Sequence, residues 1–261
     1  MFFTKKQTDG KSFRNACTQT DLVDMHSHIL PCVDDGSESV ERSLEMLECS
    51  YEQGVRNIVA TPHFYPDATN PSDFLNRRGK AAETLASAVF EQKDMGKNFP
   101  TVYLGAEVAY FDGISRSSSM SELCVLGTNL LLVEMPFERW SDSHIRELFS
   151  LKAKGFRPVV AHYDRYCAYQ EKGLLDRLLE GGVEIQLNAE AFLRFGTKRQ
   201  AISMVSMGTV GFLGSDCHNM TTRMPNLASA VAVIDKALGC ACVEDLMEYS
   251  ASELESADAI V

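Results

Sequence analysis

The sequence of 261 residues carries no run of the ~18 apolar residues that a membrane span requires, and none of its eight cysteines falls in a Cys-x-x-Cys pair. The nearest approach is Cys240 and Cys242, with one residue between them, so no disulfide-scaffold pattern exists. Reduced cysteine, used as a small apolar residue in a reducing cytoplasm, is the simplest reading. Basic residues are in deficit: 25 Lys and Arg stand against 36 Asp and Glu, a formal charge of −11. That argues against a nucleic-acid partner, which needs a basic face. It leaves an anionic substrate open, because bound divalent cations reverse the local sign. The start, Met1-Phe2-Phe3-Thr4-Lys5-Lys6, is too short and too quickly polar for a signal peptide. No direct membrane insertion is expected. Nor is there a Pro- or Gly-rich linker, an internal repeat, a Walker-type loop or a Gly-x-Gly-x-x-Gly after the first strand. One domain over residues 21–261 is therefore expected, preceded by a polar extension over 1–20.

What is present is an alternation of helical and extended patterns in about seven β–α units. Val40, Leu44, Leu47 and Tyr51 mark one helical stripe, with Ser37 as its expected N-cap and Gly54 as its stop. Residues 72–94 read as a second helix, Thr101 to Tyr110 as extended, and Leu130 to Met135 as an apolar strand. Further helices are expected around Ile145, Leu174, Ile202 and Leu227, with a terminal one over 242–256. Near-continuous apolar strands imply a parallel sheet covered on both faces. Without a dinucleotide fingerprint, a closed or distorted α/β barrel is favoured over an open sheet, and a barrel gathers its chemistry at the carboxyl ends of its strands.

Five of the six histidines fall at such ends. His26 and His28 follow Leu22-Val23-Asp24-Met25 and, two residues apart in extended backbone, face the same way. His63 follows the Val55–Ala60 run, His162 follows Val159-Val160-Ala161, and His218 closes Gly214-Ser215-Asp216-Cys217. Taken singly, each could be a hydrogen-bonded core residue; the recurrence points to a polynuclear metal site. His144, in an amphipathic helix after Ser141, reads instead as a surface or capping residue. Carboxylates join the histidines at Glu107, Glu134 and Asp216, with Asp34 and Asp35 in the turn after the first strand. A carboxylate inside a run such as Leu130-Leu131-Leu132-Val133-Glu134 is costly unless paired or coordinated. Mixed imidazole and carboxylate donors suit zinc, iron or manganese.

Asp24-Met25-His26-Ser27-His28, Asp34-Asp35-Gly36, Thr61-Pro62-His63, Gly105-Ala106-Glu107, Val133-Glu134-Met135, Ala161-His162-Tyr163-Asp164-Arg165-Tyr166 and Ser215-Asp216-Cys217-His218-Asn219 occur in an order that resembles the PHP (polymerase and histidinol phosphatase) superfamily. More narrowly, roughly residues 22–235 resemble the bacterial PHP-type tyrosine-protein phosphatases of capsule and exopolysaccharide synthesis. The resemblance implies a single-domain distorted (β/α)7 barrel and three divalent metal ions, manganese foremost and iron or zinc as alternatives. It implies His26, His28, Glu107 and Asp216 as ligands of the first ion, Glu107 bridging to a second held by Glu134 and His162, and Asp35, His63 and His218 on the third. It prefers Asp35 to Asp34, which reads as a turn residue. The implied substrate is the phosphotyrosine tail of a bacterial tyrosine autokinase, met in the cytoplasm. Where relatives carry Ile-Glu-Arg-Tyr, this chain has Tyr163-Asp164-Arg165-Tyr166, which keeps the arginine and shortens the acid.

Phosphate monoester hydrolysis would follow, with metals acidifying water and polarising phosphoryl oxygens. Arg165 and Arg223 are candidate catalytic residues, able to hold phosphate oxygens through a guanidinium fork; the bland alternative is structural ion pairing. Cys217 and Arg223 match the Cys-x5-Arg spacing of thiolate phosphatases, but the intervening residues include no glycine and Met224 replaces the usual hydroxyl residue. Cys217 is expected to point into the barrel wall. Competing readings are a phosphatase of a small ester such as histidinol phosphate, and a non-catalytic scaffold that keeps the barrel.

Overall fold

The computed structural model describes residues 20–261, so the polar extension expected over 1–20 lies outside the described residues except for Thr20. The chain alternates strands and helices. β1 (Leu22–Ser27) leads to α1 (Val40–Glu52), then β2 (Val55–Ala60), β3 (His63–Phe64) and α2 (Pro71–Asp94). β4 (Thr101–Leu104), β5 (Glu107–Ala109) and the short α3 (Met120–Leu123) precede β6 (Leu130–Glu134), α4 (Asp142–Ala153), β7 (Arg157–Val160) and α5 (Leu174–Glu180). β8 (Glu184–Asn188), α6 (Ala189–Leu193), α7 (Lys198–Ser206), β9 (Phe212–Gly214), α8 (Leu227–Leu238) and α9 (Cys240–Glu253) complete it.

Each named strand pairs with its neighbour in parallel, in the orders β1-β2-β4 and β3-β5-β6-β7-β8-β9. β2 continues into β3 and β4 into β5, each across a two-residue break, so the nine segments occupy seven positions. The Gly105 N–H donates to the Ala60 carbonyl at 2.8 Å and the Glu107 N–H to that of Pro62 at 3.1 Å, which carries the ladder across both breaks. Closure comes at β1 and β9. The Asp216 N–H donates to the His26 carbonyl at 2.8 Å, and the His28 N–H to the Cys217 carbonyl at 2.9 Å. The result is the distorted seven-position barrel that the sequence leads one to expect.

Local chemistry explains the elements. β6 is fully apolar until its last residue, as a strand buried on both faces must be. α1 places Met46 and Leu47 in the core, and Gly54, at a φ of +94°, turns the chain into β2. The N-cap of α1 is Ser39, whose hydroxyl accepts from the Arg42 N–H at 3.2 Å, and not Ser37. Ser37 sits inside the preceding turn, where its N–H donates to the His28 carbonyl at 3.0 Å and its hydroxyl to that of Ser39 at 2.9 Å. Nor is Thr101 to Tyr110 continuous; it breaks at Gly105-Ala106. Buried Arg78 of α2 holds that break, donating to the carbonyls of Gly105 and Glu122, both at 2.8 Å. The kink sets Glu107 at the barrel mouth. Cys32, Cys49, Cys124, Cys167, Cys217 and Cys242 are free thiols.

Candidate metal centre

At the carboxyl end of the barrel five imidazoles and four carboxylates meet. His26 Nε2 lies 3.1 Å from His28 Nε2, 3.2 Å from Glu107 Oε2 and 3.7 Å from Asp216 Oδ1. His28 Nε2 lies 3.4 Å from Glu107 and 3.3 Å from Asp216. His162 Nε2 sits 2.7 Å from Glu107 Oε1 and 3.6 Å from Glu134 Oε1. His63 turns Nδ1 to Glu107 Oε2 at 2.9 Å and to Glu134 Oε2 at 4.0 Å. The Nε2 atoms of His63 and His218 each lie 3.5 Å from Asp35 Oδ1. All nine residues of the expected ligand set thus lie together, with Glu107 central and His63 reaching both Glu134 and Asp35. Asp35 is 69% exposed and forms the outer edge.

The donor set fits divalent ions. Glu107 Oε2, His63 Nδ1 and His218 Nε2 are buried without a hydrogen-bond partner although they face other polar atoms. Such orphaned groups are expensive in a core unless something satisfies them. Within each of the sets His28-His63-His218, His26-His28-Glu107 and His63-Glu107-Glu134, one donor atom per residue lies within 4.8 Å of the others. Imidazole and carboxylate together suit a borderline or hard divalent cation.

Neighbouring groups orient the donors. Asp34 Oδ2 pairs with His28 Nδ1 at 2.7 Å and accepts the His63 N–H at 2.9 Å, while its Oδ1 accepts the Gly36 N–H at 2.9 Å. Asp34 is therefore a turn residue that also fixes the His28 ring. Gln186 Oε1 sits 3.2 Å from His26 Nδ1 and accepts the His162 N–H at 2.6 Å. Its amide donates to Asn188 Oδ1 at 3.0 Å, and the Asn188 amide donates to Asp216 Oδ2 at 2.7 Å. Gln186 and Asn188 are the residues that sequence reading missed. Their one signal is alternation, with Glu184, Gln186 and Asn188 on one face of β8 and Ile185 and Leu187 on the other. Asp164 accepts the Asn188 N–H at 2.9 Å, so the shortened acid still supports the same layer.

Backbone strain gathers at the same place. Among the described residues, the non-glycine residues with positive φ are Cys32, His162 at 31° and Asp216 at 52°, and the last two belong to the cluster. Each costs of the order of 1–3 kcal/mol and turns a side chain back over the mouth. Glycine supplies room: a Cβ on Gly214 would lie 2.4 Å from His26 Cβ, and one on Gly36 would lie 2.5 Å from His28 Cβ.

Electrostatics follow from crowding charge in a dry site. Burial alone would push Glu107 and Asp216 up, yet the surrounding histidines hold both well below the carboxylate range. Asp34 is likewise held at about 2, His28 outweighing the cost of burial. Burial, and then the Glu107 charge, raise Glu134 to about 7. Burial would depress His28, but hydrogen bonds to Asp216 and Asp34 raise it well above its ordinary value. His218 is depressed to about 4 by burial and by the neighbouring His28.

The two arginines reach the same carboxylate. Arg165 Nη2 pairs with Asp216 Oδ2, and Arg223 Nη2 with Asp216 Oδ1 at 2.6 Å; both side chains are about one-third exposed. Cys217 is fully buried, and burial raises its thiol far above the range of a reactive thiolate. His144 Nδ1 accepts the Ser141 N–H at 3.2 Å as part of a capping box, away from the cluster.

The sequence matches the family model for capsular polysaccharide synthesis, CpsB/CapC, over residues 22–254. The chain belongs to the CpsB/CapC family. Among its relatives, the tyrosine-protein phosphatase CpsB of Streptococcus agalactiae is 30% identical over 84% of this chain and 91% of its own. The tyrosine-protein phosphatase YwqE of Bacillus subtilis is 29% identical over 84% of this chain and 85% of its own. A solved structure from work on YwqE and on CpsB of Streptococcus pneumoniae, described there as metal-dependent tyrosine phosphatases, superposes with a TM-score of 0.77 at 25% identity, covering 91% of this chain and 96% of that one. A phosphotriesterase homology protein from Escherichia coli shares the fold alone, with a TM-score of 0.52 at 12% identity. In this CpsB/CapC chain, as elsewhere on barrels, the polar cluster occupies the carboxyl ends of the strands.

Proposed function

We propose that this CpsB/CapC chain is a metal-dependent tyrosine-protein phosphatase, and that its substrate is the tyrosine-phosphorylated tail of a bacterial autokinase in the cytoplasm. The observation that carries the reading is the convergence of His26, His28, His63, His162, His218, Glu107, Glu134, Asp35 and Asp216 at one barrel end, with buried donor atoms left unpaired. We assign these residues to three divalent ions, manganese foremost. Such ions, when bound, acidify water and polarise phosphoryl oxygens. The net reaction breaks the bond between phosphorus and the tyrosyl oxygen, and water supplies the replacing oxygen.

Among the chain's own residues, Arg165 and Arg223 are the phosphate clamps. Each already reaches the Asp216 carboxylate at the mouth through Nη2, and a phosphoryl group likewise offers pairs of oxygens that a guanidinium can hold. Gln186 and Asn188 hold His26, His162 and Asp216 in place. Cys217 takes no part in catalysis. No helix of the described residues is long and apolar enough to cross a membrane.

Phosphate release from a phosphotyrosine peptide tests the reading. Activity is expected to vanish on chelation, to return with Mn²⁺, to survive Cys217→Ser and to fall at least about 100-fold in Arg165→Met, the scale of losing one charge-stabilising donor. Activity that resists chelation but is lost in Cys217→Ser would contradict it.

A further inference from the structure

Two aromatic rings beside the metal centre are exposed although each is anchored on it. Tyr65, directly after β3, is 43% exposed, and Phe137, three residues after β6, is 53% exposed. The Tyr65 ring stacks on His63 with centroids 4.9 Å apart and planes 25° apart. The Phe137 ring lies 6.2 Å from His162 with planes 16° apart, and 5.0 Å from the ring of Tyr166. Tyr166 is fully buried and is backed in turn by Trp140 at 5.1 Å. Phe137 is thus supported from behind, with a face left to solvent.

His63 and His162 bracket Glu134. His162 Nε2 is 3.6 Å from its Oε1, and His63 Nδ1 is 4.0 Å from its Oε2. The aromatic rings therefore flank the Glu134 edge of the site, while both arginines sit at Asp216. One rim is cationic and another is aromatic. A phosphate ester of a flat ring can engage both, whereas a small alkyl ester engages only the cationic rim.

We propose that Tyr65 and Phe137 form the walls of a subsite for the phenyl ring of the substrate phosphotyrosine and so set its preference for aryl over alkyl phosphates. The proposal rests on the phosphatase reading and adds the residues that select the leaving group. Offset or edge-on ring pairs at 4.5–7 Å add attraction beyond apolar burial, about three- to tenfold in affinity for each ring.

Equilibrium binding to the Mn²⁺-loaded full chain provides the test, with phenylphosphonate and methylphosphonate as probes that resist turnover. The wild type is expected to prefer phenylphosphonate. The ratio of the two dissociation constants should shrink about three- to tenfold in Phe137→Leu and again in Tyr65→Leu, and return in Phe137→Tyr. Leucine keeps apolar bulk and loses the ring, so a merely structural role would leave the ratio unchanged. An unchanged ratio in either leucine variant, or no aryl preference in the wild type, overturns the proposal. Peptide hydrolysis by the wild type is measured in parallel. Its absence would sink the phosphatase reading, whereas the ratio, read without turnover, tests the subsite itself.

Discussion

Asp34 and Gln186 decide which nitrogen His28 and His26 offer to the centre. Each engages the Nδ1 of its histidine, leaving Nε2 directed at Glu107 and Asp216. Partners of this kind fix tautomer and ring orientation, and losing one typically costs about 10–100-fold in metal affinity. Asp34→Asn is accordingly expected to weaken metal binding by about that factor in a chelator competition, with the fold retained by circular dichroism. Equal affinity in the variant would show that the ring is held by packing alone. A second expectation concerns protons. Burial and the Glu107 charge keep Glu134 protonated up to about 7, and Asp216 and Asp34 keep His28 protonated above its ordinary value. A cation needs both groups unprotonated, so binding must expel protons, and affinity should climb as pH rises through about 7 and go on climbing until His28 has also lost its proton. Calorimetry at pH 6 in two buffers of different ionisation enthalpy should register proton release; heats independent of buffer would contradict this.

The strand ends carry the chemistry because the strands differ in length and continuity. β2 and β4 each break before the residue that matters, His63 and Glu107, and Arg78 pins the second break through the Gly105 carbonyl. Closure between β1 and β9 brings His26 and His28 beside Asp216. Gly214, the last residue of β9, lies so close to β1 that a methyl group there would meet His26 Cβ at 2.4 Å and Gln186 Nε2 at 2.8 Å. Gly214→Ala should therefore displace His26, cost about 1–3 kcal/mol of stability by overpacking, and lower metal affinity more than the same change at Gly79, where nothing lies within 4 Å. Thermal melting and metal titration of both variants check this, and equal effects would mean that the closure is not tight.

At the scale of the whole molecule, the barrel and its five strand-end histidines were legible because apolar strands and the histidines that follow them are local patterns, whereas the set of nine proposed ligands, Asp35 among them, came with the family resemblance. Helix ends were less so. Ser37 and Ser39 are both capping types two residues apart, and only the path of the turn after His28 decides between them. The short helices α3 and α6 escaped notice, being too short to display a period. Gln186 and Asn188 needed the fold, since their partners lie in β1 and in the loops after β7 and β9. The arginines show how far sequence reaches. It placed them at the mouth, while their pairing with Asp216 appears only in three dimensions.

One titration tests the metal centre most directly: phosphotyrosine-peptide hydrolysis by the stripped full chain against equivalents of Mn²⁺ added per chain. A hydrolytic centre built from these nine side chains predicts no activity at zero equivalents and a rise that saturates near three, abolished in His162→Ala. Full activity in the stripped protein, or an unchanged curve in His162→Ala, would contradict it.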